Sequence, residues 1–358
     1  MRFANWVLAG LIAGTIAAPA DVQVYHNGPF VPNNKLPPSH ASSDGGKIVE
    51  LFLKLRGSTE WKLVSKTPIE GDTGEPEGMV LVGDDRLFVS SGQWTVPTEK
   101  YNKTINGTDR SPGAGFTHLL LYDLEGRLLA NSSLTKPGEI EYHGGGLDYD
   151  GRYIWITLSQ YRPNSTATIT RIDPLTLKSE RLFRTNDHNG GIVHDTVTDN
   201  LVTLSWGSRN ATTWSLKRYP RGFAPLPGFT PPKRRVTNPS FFIDYQDCKF
   251  LGHQRVPQVF PPSSSLWDRI ISLGKQNDRR PLMLCGGVAT VDGFDLGGLA
   301  LVDTETMIPV WEVPIGLKSE KGTRLTQNPI EAQVVNGKLR VWFMPDQRES
   351  VLYIYEAH

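Results

Sequence analysis

The sequence predicts an all-β protein: a six-bladed β-propeller whose last blade is closed by an N-terminal strand. Three observations predict it. The chain consists of short β-rich runs punctuated by turn residues, useful helical periodicity is almost absent, and one unit recurs with the period of a four-stranded blade. The first such run is Met79-Val80-Leu81-Val82, followed by a turn at Gly83-Asp84-Asp85 and a second run, Leu87-Phe88-Val89. The best short helical stretch is Ser265 to Leu273.

The repeating unit is a polar residue, glycine, strand, turn and strand. It starts at Glu77-Gly78, at His143-Gly144-Gly145-Gly146, at His188-Asn189-Gly190-Gly191, weakly at Phe241 to Tyr245, at Cys285-Gly286-Gly287, and at Ile330-Glu331. From His143 onward the starts lie roughly 40 to 55 residues apart. The longer first interval holds an inserted loop, Trp94 to Gly115. Three strands run into Asp-marked turns, at Leu119 to Gly126, Ile169 to Pro174 and Leu299 to Thr304, and read as third strands turning into fourth. The extended segment Ile48 to Val64 is expected to supply the outer strand of the last blade, which removes an exposed sheet edge. A two-sheet sandwich leaves the period unexplained.

Residues 1–20 carry Arg2, an apolar stretch from Trp6 to Ile16, and Ala18-Pro19-Ala20, the order of a signal peptide. Residues 21–47, rich in Pro, Asn, Ser and Gly, read as a flexible or surface-hugging arm, and 48–358 as one propeller domain. No later segment has the ~20 apolar residues needed to span a bilayer, so a secreted or lumenal protein without membrane insertion is expected. The sequons at Asn102, Asn106, Asn131, Asn164 and Asn210 fit that compartment, and each is expected at a turn or strand end. Without Arg2 the chain has 37 basic and 37 acidic side chains, which gives no general attraction to nucleic acid. The local cluster Lys217, Arg218, Arg221, Lys233, Arg234 and Arg235 reads as a solvated loop. Cys248 and Cys285 in an oxidising compartment are expected to form a disulfide, with two buried thiols as the alternative.

The inner strands of a propeller line a channel whose mouth is a natural place for a site. The polar residues at the repeat starts are therefore the candidates: Glu77, His143, His188, His194, Asp247 and Glu331, with Arg209 as a further cation. Trp94, Tyr161, Trp206 and Tyr245 are the candidate walls. Asp187, Asp195 and Asp199 read as turn-makers, and Trp155, Trp311 and Trp342 as core. Gly-x-Ser-x-Gly, His-Glu-x-x-His, EF-hand and P-loop patterns are absent. The His and carboxylate set contains metal-ligand types, but spacing across blades is not fixed by sequence.

The pieces Pro76-Glu77-Gly78-Met79, Tyr142-His143-Gly144-Gly145-Gly146, Tyr161-Arg162-Pro163, Asp187-His188-Asn189-Gly190-Gly191, Trp206-Gly207-Ser208-Arg209, Asn238-Pro239-Ser240, Asp244 to Cys248 and Phe343-Met344-Pro345 follow one another in order. In them the chain resembles a largely uncharacterised family of propeller-like proteins common in fungi. Secreted proteins similar to it include hetero-Diels-Alderases of tropolone-sesquiterpenoid biosynthesis. The resemblance implies small-molecule substrates, a tropolone quinone methide and a humulene-type alkene, and no metal or cofactor. Such a reaction needs two apolar partners held together and a hydrogen-bond donor on the heterodiene. His143, His188 or Arg209 would be the donor, and Glu77 or Asp247 the proton acceptor. A propeller hydrolase or lactonase, and a non-catalytic ligand-binding propeller, are the rival expectations.

Overall fold

A computed structural model describes residues 21–218, 229–256 and 279–358. The signal segment 1–20, Arg221 of the basic cluster and the helical run 265–273 lie outside the described residues.

Five antiparallel sheets are arranged as the blades of a propeller. Blade 1 runs outward from Glu75–Leu81 through Leu87–Val96 and Ala114–Tyr122 to Leu128–Ser133, with Val22–Val24 added at its edge. Blade 2 is His143–Tyr149, Ile154–Ser159, Ala167–Ile172 and Ser179–Thr185. Blade 3 is Gly191–Asp195, Asn200–Leu204, Asn210–Ser215 and Arg234–Thr237. Blade 4 is Asp244–Arg255, Arg279–Val291, Phe294–Asp303 and Pro309–Pro314. Blade 5 is Ile330–Val335, Lys338–Phe343 and Val351–Ala357, and its outermost strand, Trp61–Pro68, comes from before blade 1.

Five blades replace the six expected. The starts at Phe241 and Cys285 belong to one blade, because Cys285 lies on the second strand of blade 4, opposite Cys248 on the first. Gly287 gives this strand the look of a blade start for a different reason. A Cβ on Gly287 would lie 2.0 Å from the Asp244 carbonyl oxygen, so glycine is required by the neighbouring strand. At the start of blade 1 glycine makes room for the next blade instead: a Cβ on Gly78 would lie 2.4 Å from the Leu147 nitrogen.

The core is divided among the blade interfaces. Apolar clusters join blades 1 and 2 (Phe88, Leu147), 2 and 3 (Trp155, Ile192), 3 and 4 (Val193, Phe250), 4 and 5 (Leu301, Val341), and 5 and 1 (Trp342, Met79). Trp155 and Trp342 are core, whereas Trp311 is half-buried, donating to the Leu55 carbonyl and stacking under Arg56. The segment expected to be extended from Ile48 begins as a helix, Gly45–Phe52. Ile48, Val49 and Phe52 share its buried face and pack onto blades 4 and 5, the 3.6-residue spacing that a search for strands overlooks.

The arm 21–44 is laid along the propeller. Val22–Val24 pairs with Leu128–Ser133, and residues 37–44 cover the end of the channel opposite the strand starts, where His40 reaches Glu331 at 3.0 Å and Asp44 at 2.7 Å. Burial lowers the imidazole pKa, but the two carboxylates outweigh it and raise it from 6.5 to about 10. A raised folded-state value stabilises below 6.5, and that contribution is lost as pH climbs toward 10. The Tm difference between the protein and its His40→Ala variant is therefore expected to shrink across that range; a gap independent of pH would refute the latch.

The axis is filled by Asp247, which is fully buried. One carboxylate oxygen accepts from the backbone N–H groups of Met79 at 3.1 Å and Ile330 at 3.2 Å, and the other from Leu147 at 3.0 Å and the Lys249 ammonium at 2.7 Å. Lys249 also donates to the Leu147 carbonyl. Asp148 makes a similar tie one residue past Leu147, accepting from His194 and Phe250 N–H groups.

Cys248 and Cys285 are bonded to each other, linking the two inner strands of blade 4 across a separation of 37 residues. Closing a loop of that length removes denatured-state entropy equivalent to about 3–4 kcal/mol. The double Cys→Ser variant is expected to lose that order of stability in denaturant melts, and unchanged melting would refute it. Among the described residues no helix is long and apolar enough to cross a membrane.

Candidate functional site

The starts of the inner strands meet at one mouth of the channel, in a cavity of about 450 Å³. Glu77, His143, His188, Tyr161 and Trp206 all line it, so sequence-predicted residues from three blades come together. Glu77 is presented by a β-bulge: Pro76 pairs with Ser91 and Gly78 with Ser90, which leaves Glu77 as the extra residue on the inner strand. Gln246 is the extra residue of a second bulge, between Tyr245 and Asp247, and lines the same cavity.

Glu77 is 7% exposed and His143 6%, yet neither side chain makes a hydrogen bond among the described residues, and Glu77 Oε2 lies 4.0 Å from His143 Nε2. Leaving buried polar groups in this state costs stability, and such sites are commonly functional. Burial, with Glu75 and Asp247 nearby, pushes the Glu77 carboxyl well above the ordinary range. Burial pushes Glu75 up to about 7, against the Gln347 amide that donates to it at 2.8 Å. Both imidazoles go the other way. Burial and the neighbouring His188 take His143 down to about 3, and burial takes His188 down to about 4 against the pull of the Gln160 carbonyl. His188 Nδ1 faces that carbonyl at 2.8 Å, an acceptor only, so Nδ1 carries the proton and Nε2 keeps its lone pair.

The wall is a continuous aromatic surface. Tyr161 lies 4.8 Å from His143, 5.3 Å from Trp206 and 6.1 Å from Trp94, and Trp206 lies 4.9 Å from His188. Arg110 closes over it, 4.8 Å from the Trp206 ring and 5.6 Å from Tyr161. Its guanidinium arrives on the insertion after blade 1's second strand, a hairpin of Lys100–Ile105 and Thr108–Arg110. That hairpin carries the sequons Asn102 and Asn106, and the Asn164 amide donates to its Gly107 carbonyl at 2.6 Å. The mouth and three sequons are thus neighbours through one hairpin. Asn210 begins a strand, whereas Asn131 lies within Leu128–Ser133 and bonds His118, which corrects its expected position at a turn.

Other expected site residues serve the fold. Asp247 is the axial tie, its oxygens taken by three blades and Lys249. Arg209 is bound to the Gly207 and Ser240 carbonyls and to Asp244, with its guanidinium over Phe241. Tyr245 touches the cavity but is 3% exposed and belongs to the apolar cluster of blades 3 and 4. His194 is held by Asp150 and Asp199, and Glu331 by Leu81, Ala332 and His40. Sequence reasoning missed Glu75 and Arg110. The Glu-x-Glu alternation announces Glu75, since residues two apart on a strand share a face, and Glu77 is kept near it by the bulge. Nothing in the sequence announces Arg110, which the insertion brings in from outside the repeat.

Residues 38–258 and 271–358 match a family of unknown function, DUF6454. The chain belongs to this family. The two matched segments together include all the cavity residues named above. No curated protein matches the chain.

Proposed function

We propose that this DUF6454 protein is an enzyme acting on small organic molecules at the channel mouth, and that its reaction is an intermolecular hetero-Diels-Alder cycloaddition of a tropolone quinone methide with a humulene-type alkene. One observation carries the reading: the buried Glu77–His143 corner makes no hydrogen bond of its own among the described residues and shares its cavity with the Tyr161 and Trp206 rings, beyond which lies Trp94. The wall offers flat apolar faces to both reactants, and holding them in reacting geometry supplies about 7–11 kcal/mol in ideal cases. The carboxyl of Glu77, kept protonated by its surroundings, donates to the heterodiene oxygen as negative charge develops there. One C–C and one C–O bond form as the π bonds of diene and alkene are consumed, and nothing leaves. The quinone methide is generated from its hydroxylated precursor by loss of one water: His188 Nε2 takes the ring hydroxyl proton and Glu77 gives a proton to the departing hydroxyl, so no net proton is gained or lost. The Cys248–Cys285 bond suits the secretory compartment proposed for the protein.

The test is direct. Purified protein is mixed with a quinone methide precursor and humulene, and adducts are resolved by chiral chromatography. Rate acceleration with one stereoisomer in excess is expected. A racemic product at the buffer rate overturns the reaction, and lactone hydrolysis or tight binding without turnover would move the protein to one of the rival classes.

A further inference from the structure

We infer that Glu75, Glu77 and His143 form a binding site for one divalent first-row metal ion of the Zn²⁺ or Mn²⁺ type. Each offers a ligand atom, and these atoms lie within 4.8 Å of one another. Three ligands at the distances of about 2.0–2.2 Å usual for such ions lie about 3.3–3.8 Å from one another, so side-chain rotations that move the ligand atoms by up to about 1 Å bring all three into range. The Glu77 to His143 separation, 4.0 Å, is within a few tenths of an ångström of that range.

Two independent observations point to a ligand rather than to a chance acidic cluster. Glu77 and His143 are each more than nine-tenths buried, line the cavity and have no hydrogen-bond partner among the described residues, so the fold leaves two strong ligands unspent at the cavity. The surroundings also match what orients metal ligands. Gln347 donates to Glu75 Oε1 at 2.8 Å, fixing one carboxylate oxygen and leaving the other for the site. His143 is clamped between the Tyr161 and His188 rings, at 4.8 and 5.6 Å. Two carboxylates and one imidazole are borderline donors, which suit Zn²⁺ and Mn²⁺ better than Ca²⁺ with its all-oxygen shell.

Three protein ligands leave a coordination position open, the arrangement of catalytic rather than structural sites. The ion takes the place of the Glu77 proton, and a substrate oxygen in the open position is polarised by it. This last step rests on the location of the active site given above; the binding of the ion does not.

The experiment uses the full mature chain, stripped with chelator and titrated calorimetrically with Zn²⁺ and with Mn²⁺, with elemental analysis for stoichiometry. One ion per chain is expected, with affinity reduced at least 10-fold in each of Glu75→Gln, Glu77→Gln and His143→Ala. Co²⁺ loaded in place of Zn²⁺ should show visible ligand-field bands that disappear in His143→Ala. Thermal melts of all three variants verify folding, and a misfolded one is replaced by the other two. Absence of binding tighter than millimolar, or binding that persists in the folded variants, overturns the site. A bound ion without cycloaddition leaves the site standing and removes the reaction; cycloaddition by chain that binds no ion does the reverse.

Discussion

Replacing Asp247 by alanine is expected to lower stability by about 3–5 kcal/mol, the usual cost of removing one partner from a buried ion pair. The substitution strands the Lys249 ammonium, 1% exposed, and leaves the N–H groups of Met79, Leu147 and Ile330 without their acceptor. Those groups belong to blades 1, 2 and 5 while Asp247 belongs to blade 4, so the loss is felt across the ring rather than within one sheet. With an unfolding entropy near 2.1 cal/mol/K per residue, the fall in Tm is on the order of 5 °C. Burial raises the Asp247 carboxyl to about 6 against the pull of Lys249, so ionising it has a cost in the folded chain. That cost predicts partial recovery when Lys249→Met is added to Asp247→Ala, because the second change removes the stranded charge. Calorimetric melts of the two single variants and the double variant decide it; a single variant that melts like the parent would show that the axial carboxylate holds nothing together.

The opposite expectation applies to Glu77. Glu77→Met keeps about the length of the side chain without a hydrogen-bond donor, and no hydrogen bond among the described residues depends on the carboxyl. Relieving a buried acid of its neighbours Glu75 and Asp247 is expected to leave Tm unchanged or slightly raised. Catalysis is expected to suffer instead, with adduct formation slowed about 10²–10³-fold, the usual loss when one donor aimed at developing charge is removed. Single-turnover rates on folded protein measure this. A variant within threefold of the parent rate would dismiss Glu77 as the polarising group. The pairing of no cost in stability with a large cost in rate separates this residue from Asp247, where the two effects fall together.

The contrast between these carboxylates also shows what the sequence made legible. The repeat placed Glu77, His143 and His188 at strand starts, and strand starts share one mouth, so a large part of the cavity could be assembled from the period alone. Asp247 follows Asp244-Tyr245-Gln246 in what looked like the same position. A one-residue bulge at Gln246 turns it from the mouth into the axis, and a shift of one residue exchanges the two faces of a strand. The blade number went wrong for a related reason: glycines that make room for an adjacent strand look the same in sequence as glycines that make room for the next blade. The strand order within blades was read correctly where turn chemistry was strong, as at Asp123, Asp173 and Asp303, each of which joins a third strand to a fourth. The helix Gly45–Phe52 was hidden by its brevity, and Arg110 by belonging to no repeat at all.

Asp247 and Lys249 have a consequence for molecular traffic. Their buried side chains lie on the axis, and among the described residues the cavity at the strand starts and the smaller one beneath the arm are lined as two separate spaces. With the axis filled, a molecule that enters at the strand starts is expected to leave at the strand starts, so an occupant at the wall blocks the next arrival. Product of any reaction run there is therefore a competitor for the incoming reactant, and residence time at that mouth, rather than passage through the molecule, sets how often the site can be reused.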